Sequence, residues 1–159
     1  MLVNKALYFT FAGFLLGLMS YAYAGQFEVE VDKDNVYVIH YNALSTEILL
    51  PEVARRYGVV RSKNRAMLNV SVRKGGKDGL MQTQAVLAKV TAQAVNLNGQ
   101  LKELEMRQVE EGDANSKAIY YIAVFTVTDK ETLNFTLKVD PENQGQEHEI
   151  KFRQQFFVN

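Results

Sequence analysis

Apolar and polar positions alternate with a period of two along most of the chain after residue 25. Phe27, Val29 and Val31 oppose Glu28 and Glu30, the pattern of a half-buried strand. Residues 36–42 are apolar or aromatic on both faces, with Val36 and Val38 against Tyr37, Ile39 and Tyr41, which predicts an inner strand. Ala66, Leu68, Val70 and Val72 carry the next strand. Val86, Ala88, Val90, Ala92 and Ala94 follow as a line of mostly small residues suited to close packing. Alternation is weaker over residues 101–109, with Leu104 and Met106 expected inward. It is strongest at residues 119–128, where both faces are apolar and a central strand is predicted. Leu133, Phe135, Leu137 and Val139 then mark an amphipathic strand, and Ile150, Phe152, Gln154 and Phe156 mark the last. Turn residues separate these runs, as at 32–35, 74–79, 96–99, 111–116 and 140–145.

One segment breaks the rhythm. Leu50, Val53, Ala54 and Tyr57 fall at helical spacing, Pro51 suits a first helical position, and Gly58 suits the residue after the last turn. This predicts a helix of about two turns, laid across an open end of the sheets with those four residues inward. Leu50 offers no side-chain acceptor, so the helix start is poorly capped. The whole pattern predicts a mainly β fold: a single antiparallel immunoglobulin-like sandwich of about eight strands, with one short helix after the second strand. An outer-membrane barrel fits less well. Several strands set Glu, Lys or Arg opposite the apolar face, and the chain ends in Val158-Asn159 rather than an aromatic residue.

The first residues have another grammar. Lys5 is the single charge before residue 25, an apolar run spans 6–19, and Ala22-Tyr23-Ala24 precedes Gly25. Residues 1–24 are therefore expected to be a secretory signal peptide, cleaved between Ala24 and Gly25, with an uncleaved anchor as the alternative. Cleavage leaves one domain of 135 residues, 25–159, with no further membrane span. An exported location follows.

Composition narrows the chemistry. Eighteen Lys and Arg balance eighteen Asp and Glu, so no global field draws the chain to nucleic acid. Without Cys there is no disulfide and no thiolate nucleophile. The two His, His40 and His148, are too few for an ordinary metal site, and no cofactor motif occurs. His40 lies late in an apolar strand. It suits a hydrogen-bonded structural role better than a general base. The remaining constellation is basic: Arg55, Arg56, Arg61, Lys63 and Arg65 fall within eleven residues. Paired Arg suits carboxylate or phosphate recognition. The bland alternative is a solvated surface whose charges pair with Glu103, Glu105 or Glu110. Tyr41, Asn42 and Tyr57 are natural candidates for an aromatic rim beside these charges, with His40 close in sequence.

The segments NVYVIHYNAL, LLPEVARRYGVVRSKNRAMLNVSVRK, AIYYIAVFTV and KFRQQFFVN, in that order, resemble the domain of unknown function 4426 family. The most specific parts are residues 40–43, 51–58 and 154–157. The resemblance covers essentially all of the chain after the leader. It implies a small β-rich exported protein of Gram-negative bacteria, and it supplies no activity or catalytic residues. The sequence therefore favours a non-catalytic periplasmic binding or accessory module that acts on a protein or envelope component through its basic helix-bearing end. The alternatives are a small-ligand carrier or hydrolase-like enzyme using His40, and a structural envelope protein.

Overall fold

The strands form where alternation offers one face to a common core, and the turns form where Gly, Asn and Asp interrupt it. The computed structural model describes residues 23–32, 35–75, 83–113 and 117–158. The expected leader, but for Tyr23 and Ala24, lies outside these residues, as do parts of the turns near 33, 76–82 and 114–116. The elements are β1 (Tyr23–Asp32), β2 (Asn35–Ser45), a 3-10 turn (Thr46–Ile48), α1 (Pro51–Arg56), β3 (Arg65–Gly75), β4 (Gln84–Ala85), β5 (Ala88–Asn96), β6 (Leu101–Leu104), β7 (Arg107–Glu111), β8 (Ala118–Thr126), β9 (Thr132–Pro141) and β10 (His148–Gln155).

They build two antiparallel sheets. The first runs β1-β2-β3-β8-β7, with β4 also paired to β3, and the second runs β10-β9-β5-β6. From β2 onward, and leaving aside the two-residue β4, this order matches A-B-E-D against G-F-C-C′ of an immunoglobulin-like sandwich, with β1 added outside A. The fold is thus mainly β with one short α-helix after the second strand, as the alternation predicts.

Ten strands are described against the expected eight, because the two-residue β4 stands apart and residues 101–109 are not one strand. β6 pairs with β5 in the second sheet, whereas β7 pairs with β8 in the first. The inward phase carried by Leu104 and Met106 ends at Gln108, and Val109 packs on the opposite side of the first sheet. The chain changes sheets across Glu105 and Met106.

The main core lies between the sheets. Ile39, Leu68, Val70, Val72, Leu133, Phe135, Leu137 and Val139 are fully buried there. Phe135 stacks on Phe152 with ring centroids 4.6 Å apart, and Phe125 and Phe156 meet it edge-on. A second, smaller cluster lies on the outer face of the first sheet. Leu44, Met67 and Ile122 project from β2, β3 and β8 and are covered by Leu49, Ala54 and Val59. The two-sided apolarity of β2 and β8 is explained by this arrangement, since each serves the main core on one face and the smaller cluster on the other.

Candidate functional site

The segment between β2 and β3 is held by its backbone groups as much as by its apolar contacts. Thr46 is fully buried. Its hydroxyl accepts from the Ser62 N–H at 3.0 Å and lies 3.0 Å from the Val60 carbonyl and 3.2 Å from that of Ser62. Two stretches fourteen to sixteen residues apart are thereby tied together. Pro51 opens α1, and no side chain caps it. The helix ends at Gly58, whose φ of 61° is one that residues with a Cβ adopt at a cost. The Gly58 N–H donates to the Arg55 carbonyl at 3.2 Å and the Val59 N–H to that of Ala54 at 2.7 Å. These two bonds form a Schellman closure, and its hydrophobic contact, Val59 with Ala54, belongs to the smaller cluster.

Two expectations about α1 are corrected here. The helix lies on the outer face of the first sheet, not across an open end, because Leu44, Met67 and Ile122 make that face apolar. Leu50 points out, 38% exposed, whereas Leu49 is buried. Leu50 occupies the N-cap position, whose extended backbone takes it out of the helical register. Val53 and Tyr57 are half-buried against the cluster, and Ala54 is buried.

The predicted basic residues separate into different roles. The Arg56 guanidinium pairs with Glu111 at 3.2 Å, so the acidic partner comes from β7 and is not Glu103, Glu105 or Glu110. Glu110 instead pairs with Lys117 at 2.7 Å. Arg61 donates through Nε and Nη2 to the Glu47 carbonyl at 3.3 and 2.8 Å, which latches the 3-10 turn to the chain leaving α1. Arg55 and Arg65 are exposed, and neither forms an ion pair with a described residue. Lys63 is also exposed. Exposed apolar side chains stand on the same knitted segment: Ile48 at 43%, Leu50 at 38% and Val60 at 60%.

The other candidates do not gather into one rim. Tyr41 points into the main core, with its ring 4.9 Å from Phe152. A Cβ at Gly25 would collide with that ring, so the backbone of β1 passes directly over it. Asn42 is half-buried, one position on from Tyr41 and so on the opposite face of β2, and pairs in register with Asn69. His40 is two positions before Asn42 and exposed. Partial shielding of its ring holds the pKa below the ordinary value, and the Arg73 charge adds to the effect. Tyr57 is half-buried, and burial raises its hydroxyl pKa, with the Glu111 carboxylate adding to the shift. Burial likewise raises that of Tyr120, again with a contribution from Glu111.

Glu111, Tyr120 and Arg107 thus belong to the α1 face although their sequence positions do not announce it. Arg107 donates to the Tyr57 carbonyl and holds the end of the helix from β7. The pairing of β8 with β3 brings Tyr120 to α1, and that of β7 with β8 brings Arg107 and Glu111. A shallow depression of about 80 Å³ occurs on the far side of the sandwich, lined by Thr91, Gln93, Glu103, Thr136 and Lys138 among others, and His40 is not part of it. Among the described residues, no group of three or more His, Asp or Glu is placed to hold a metal ion.

Residues 31–159 match the family described as a domain of unknown function, DUF4426. The chain belongs to the DUF4426 family. A crystal structure of a DUF4426 protein from Pseudomonas aeruginosa PAO1 is similar to this member, with 32% identity, 85% of this chain and 97% of that one covered, and a TM-score of 0.63. FetP of uropathogenic E. coli strain F11, expressed recombinantly in the periplasm, is similar in fold alone: 10% identity, 87% and 97% covered, TM-score 0.52. No curated protein matches this DUF4426 member.

Proposed function

We propose that this DUF4426 protein is a non-catalytic binding or accessory module of the periplasm that engages an acidic partner in the envelope through its α1-bearing face. One observation carries the proposal. The 46–62 segment is tied down by buried Thr46 and closed at Gly58, yet it presents Ile48, Leu50 and Val60 to solvent beside Arg55 and Arg61. Apolar side chains and guanidinium groups carried on one tied-down segment suit recognition of an acidic protein surface. Rigidity reduces the ordering cost of association.

Export rests on the leader. Residues 1–24 act as a signal peptide, and cleavage before Gly25 leaves residues 25–159 as the mature domain. Among the described residues no helix is long and apolar enough to cross a membrane. β1 starts at Tyr23, so cleavage removes its first two pairs, Tyr23 with Ala43 and Ala24 with Asn42.

The test is charge reversal at Arg55 and Arg65, two exposed cations that form no ion pair with a described residue. Arg55→Glu with Arg65→Glu is expected to abolish recovery of the partner from an envelope extract and to leave the unfolding midpoint close to that of the wild type. Unchanged recovery with the double variant contradicts the proposal.

A further inference from the structure

The last strand carries a pattern that the α1 face does not use. β10 ends the second sheet: among the described residues β9 is its hydrogen-bonded strand partner there, and β1 of the first sheet touches it without pairing. Its other edge therefore offers a row of backbone donors and acceptors. The phase of that row is fixed by one bond. The Phe156 N–H donates to the Glu131 carbonyl at 2.8 Å, and Gln155 is in register with Thr132. Even-numbered residues of β10 thus turn their N–H and C=O groups toward β9, and odd-numbered residues turn theirs to the open edge.

The side chains of the odd-numbered residues all lie on the outer face, because Ile150, Phe152 and Gln154 are buried. Glu147, just before the strand, and Glu149 are acidic; Lys151 and Arg153 are basic. Charge along the edge is therefore split by sign into two blocks. An isolated charge on an edge strand discourages pairing. A sign-split edge favours one register over its neighbours when the second strand is an antiparallel copy of itself, because that register alone pairs every charge with its opposite.

We infer that β10 is the seam of a two-fold homodimer in which two copies join their second sheets edge to edge. The register is specified by charge. With Glu149 opposite Lys151 of the second copy, Glu147 stands opposite Arg153, and the two-fold axis repeats both pairs. Every charged position on the seam then faces its opposite. The axis passes beside Ile150, and the residues flanking it are those whose backbone groups are free, so the hydrogen-bond phase and the charge phase agree. Shifting the copies by two residues in one direction sets Lys151 against itself; shifting in the other sets Glu149 against itself. Such like-charge pairs, directly opposite, are unfavourable.

Present partners do not block the exchange. Lys151 pairs with Glu149 of its own strand at 2.8 Å, and Lys138 pairs with Glu147 at 3.1 Å, but all four side chains are about half exposed or more. Arg153 donates to Asn134 at 2.8 Å, also at the surface. Such contacts re-form across a seam at little cost. The opposite edge of the sheet, β6, has only four residues and no comparable block structure.

The decisive experiment uses sedimentation of the full mature chain and two charge-swapped forms. Lys151→Glu with Arg153→Glu makes the seam wholly acidic, and Glu147→Lys with Glu149→Lys makes it wholly basic. The wild type is expected to dimerise reversibly, and more weakly as salt rises. Each swapped form alone is expected to self-associate at least tenfold more weakly, and an equimolar mixture of the two to recover the dimer as a heterodimer. A wild type that stays monomeric at millimolar concentration overturns the inference, as does a mixture of natively folded variants that fails to associate. Should a variant not fold, amide exchange in the wild type decides. Protection of the Glu149, Lys151 and Arg153 N–H groups that grows with protein concentration supports the seam, and protection independent of concentration refutes it.

Discussion

The two apolar clusters of this protein are both buried, but they are put together in different ways. Between the sheets, each strand contributes every second residue, and the aromatic rings of Phe125, Phe135, Phe152 and Phe156 interlock at centroid distances of 4.6 to 6.5 Å. On the outer face, three strand residues are covered by a turn and a six-residue helix that no strand pairing supports. A helix this short has no stability of its own. Its position depends on Thr46, the Gly58 closure and the latches from Arg61 and Arg107. The contrast shows how a sandwich can carry a rigid irregular surface without disturbing its core. The strands supply an extra apolar face, and a few polar bonds fix what lies on it.

The largest expected effect separates the two clusters by removing the centre of one. Phe135→Ala should cost about 3–5 kcal/mol and lower the denaturant midpoint of the whole domain. Loss of α1 protection alone, with the sandwich unchanged, would contradict the division. Thr46→Val leaves the Ser62 N–H and the Val60 carbonyl without their partner and should cost about 1–3 kcal/mol. Amide exchange should quicken over residues 46–62 well before it does in β5 or β9. Gly58→Ala places a Cβ at positive φ and should cost about 1 kcal/mol, again visible first at the α1 segment.

The smallest effect concerns a polar contact that reaches the main cluster only through the Tyr37 hydroxyl. Glu142 accepts from Lys74 at 2.7 Å and from the Tyr37 hydroxyl, joining the loop after β9 to the first sheet. The Lys74 bond first, and the Tyr37 bond second, hold its carboxyl below the ordinary carboxylate pKa. The ionised form is thus favoured in the folded state. Its contribution is present above the ordinary carboxylate pKa and is lost as pH falls through the lowered value. Glu142→Gln should remove this small acid-side loss, measured as the unfolding midpoint against pH, and leave amide exchange at α1 unaltered.

Regular alternation made most of the sandwich legible in the sequence. Leu133, Phe135, Leu137 and Val139 share one face, and the structure buries all four. The division of residues 101–109 was hidden because Leu104 and Met106 keep a single phase up to the point where the chain changes sheets. The α1 segment was readable at its end, where Gly58 marks the stop, and misleading at its start. Pro51 fixes where the helix begins, but helical spacing cannot show that Leu50, just before it, has extended backbone and leaves burial to Leu49. Burial of Tyr41 and the pairing of Arg56 with Glu111 depend on which sheet packs against which strand face. Contacts across fifty-five residues leave no local trace.

The measurement closest to the central claim compares the two outer faces in living cells. A photo-crosslinking residue is placed at Leu50 or Val60 on the α1 face, and at Gln93 on the outer face of the second sheet. Adducts to a discrete acidic partner are expected from Leu50 and Val60 and not from Gln93. Equal adducts from both faces, or adducts from Gln93 alone, would contradict the assignment of α1 as the docking surface.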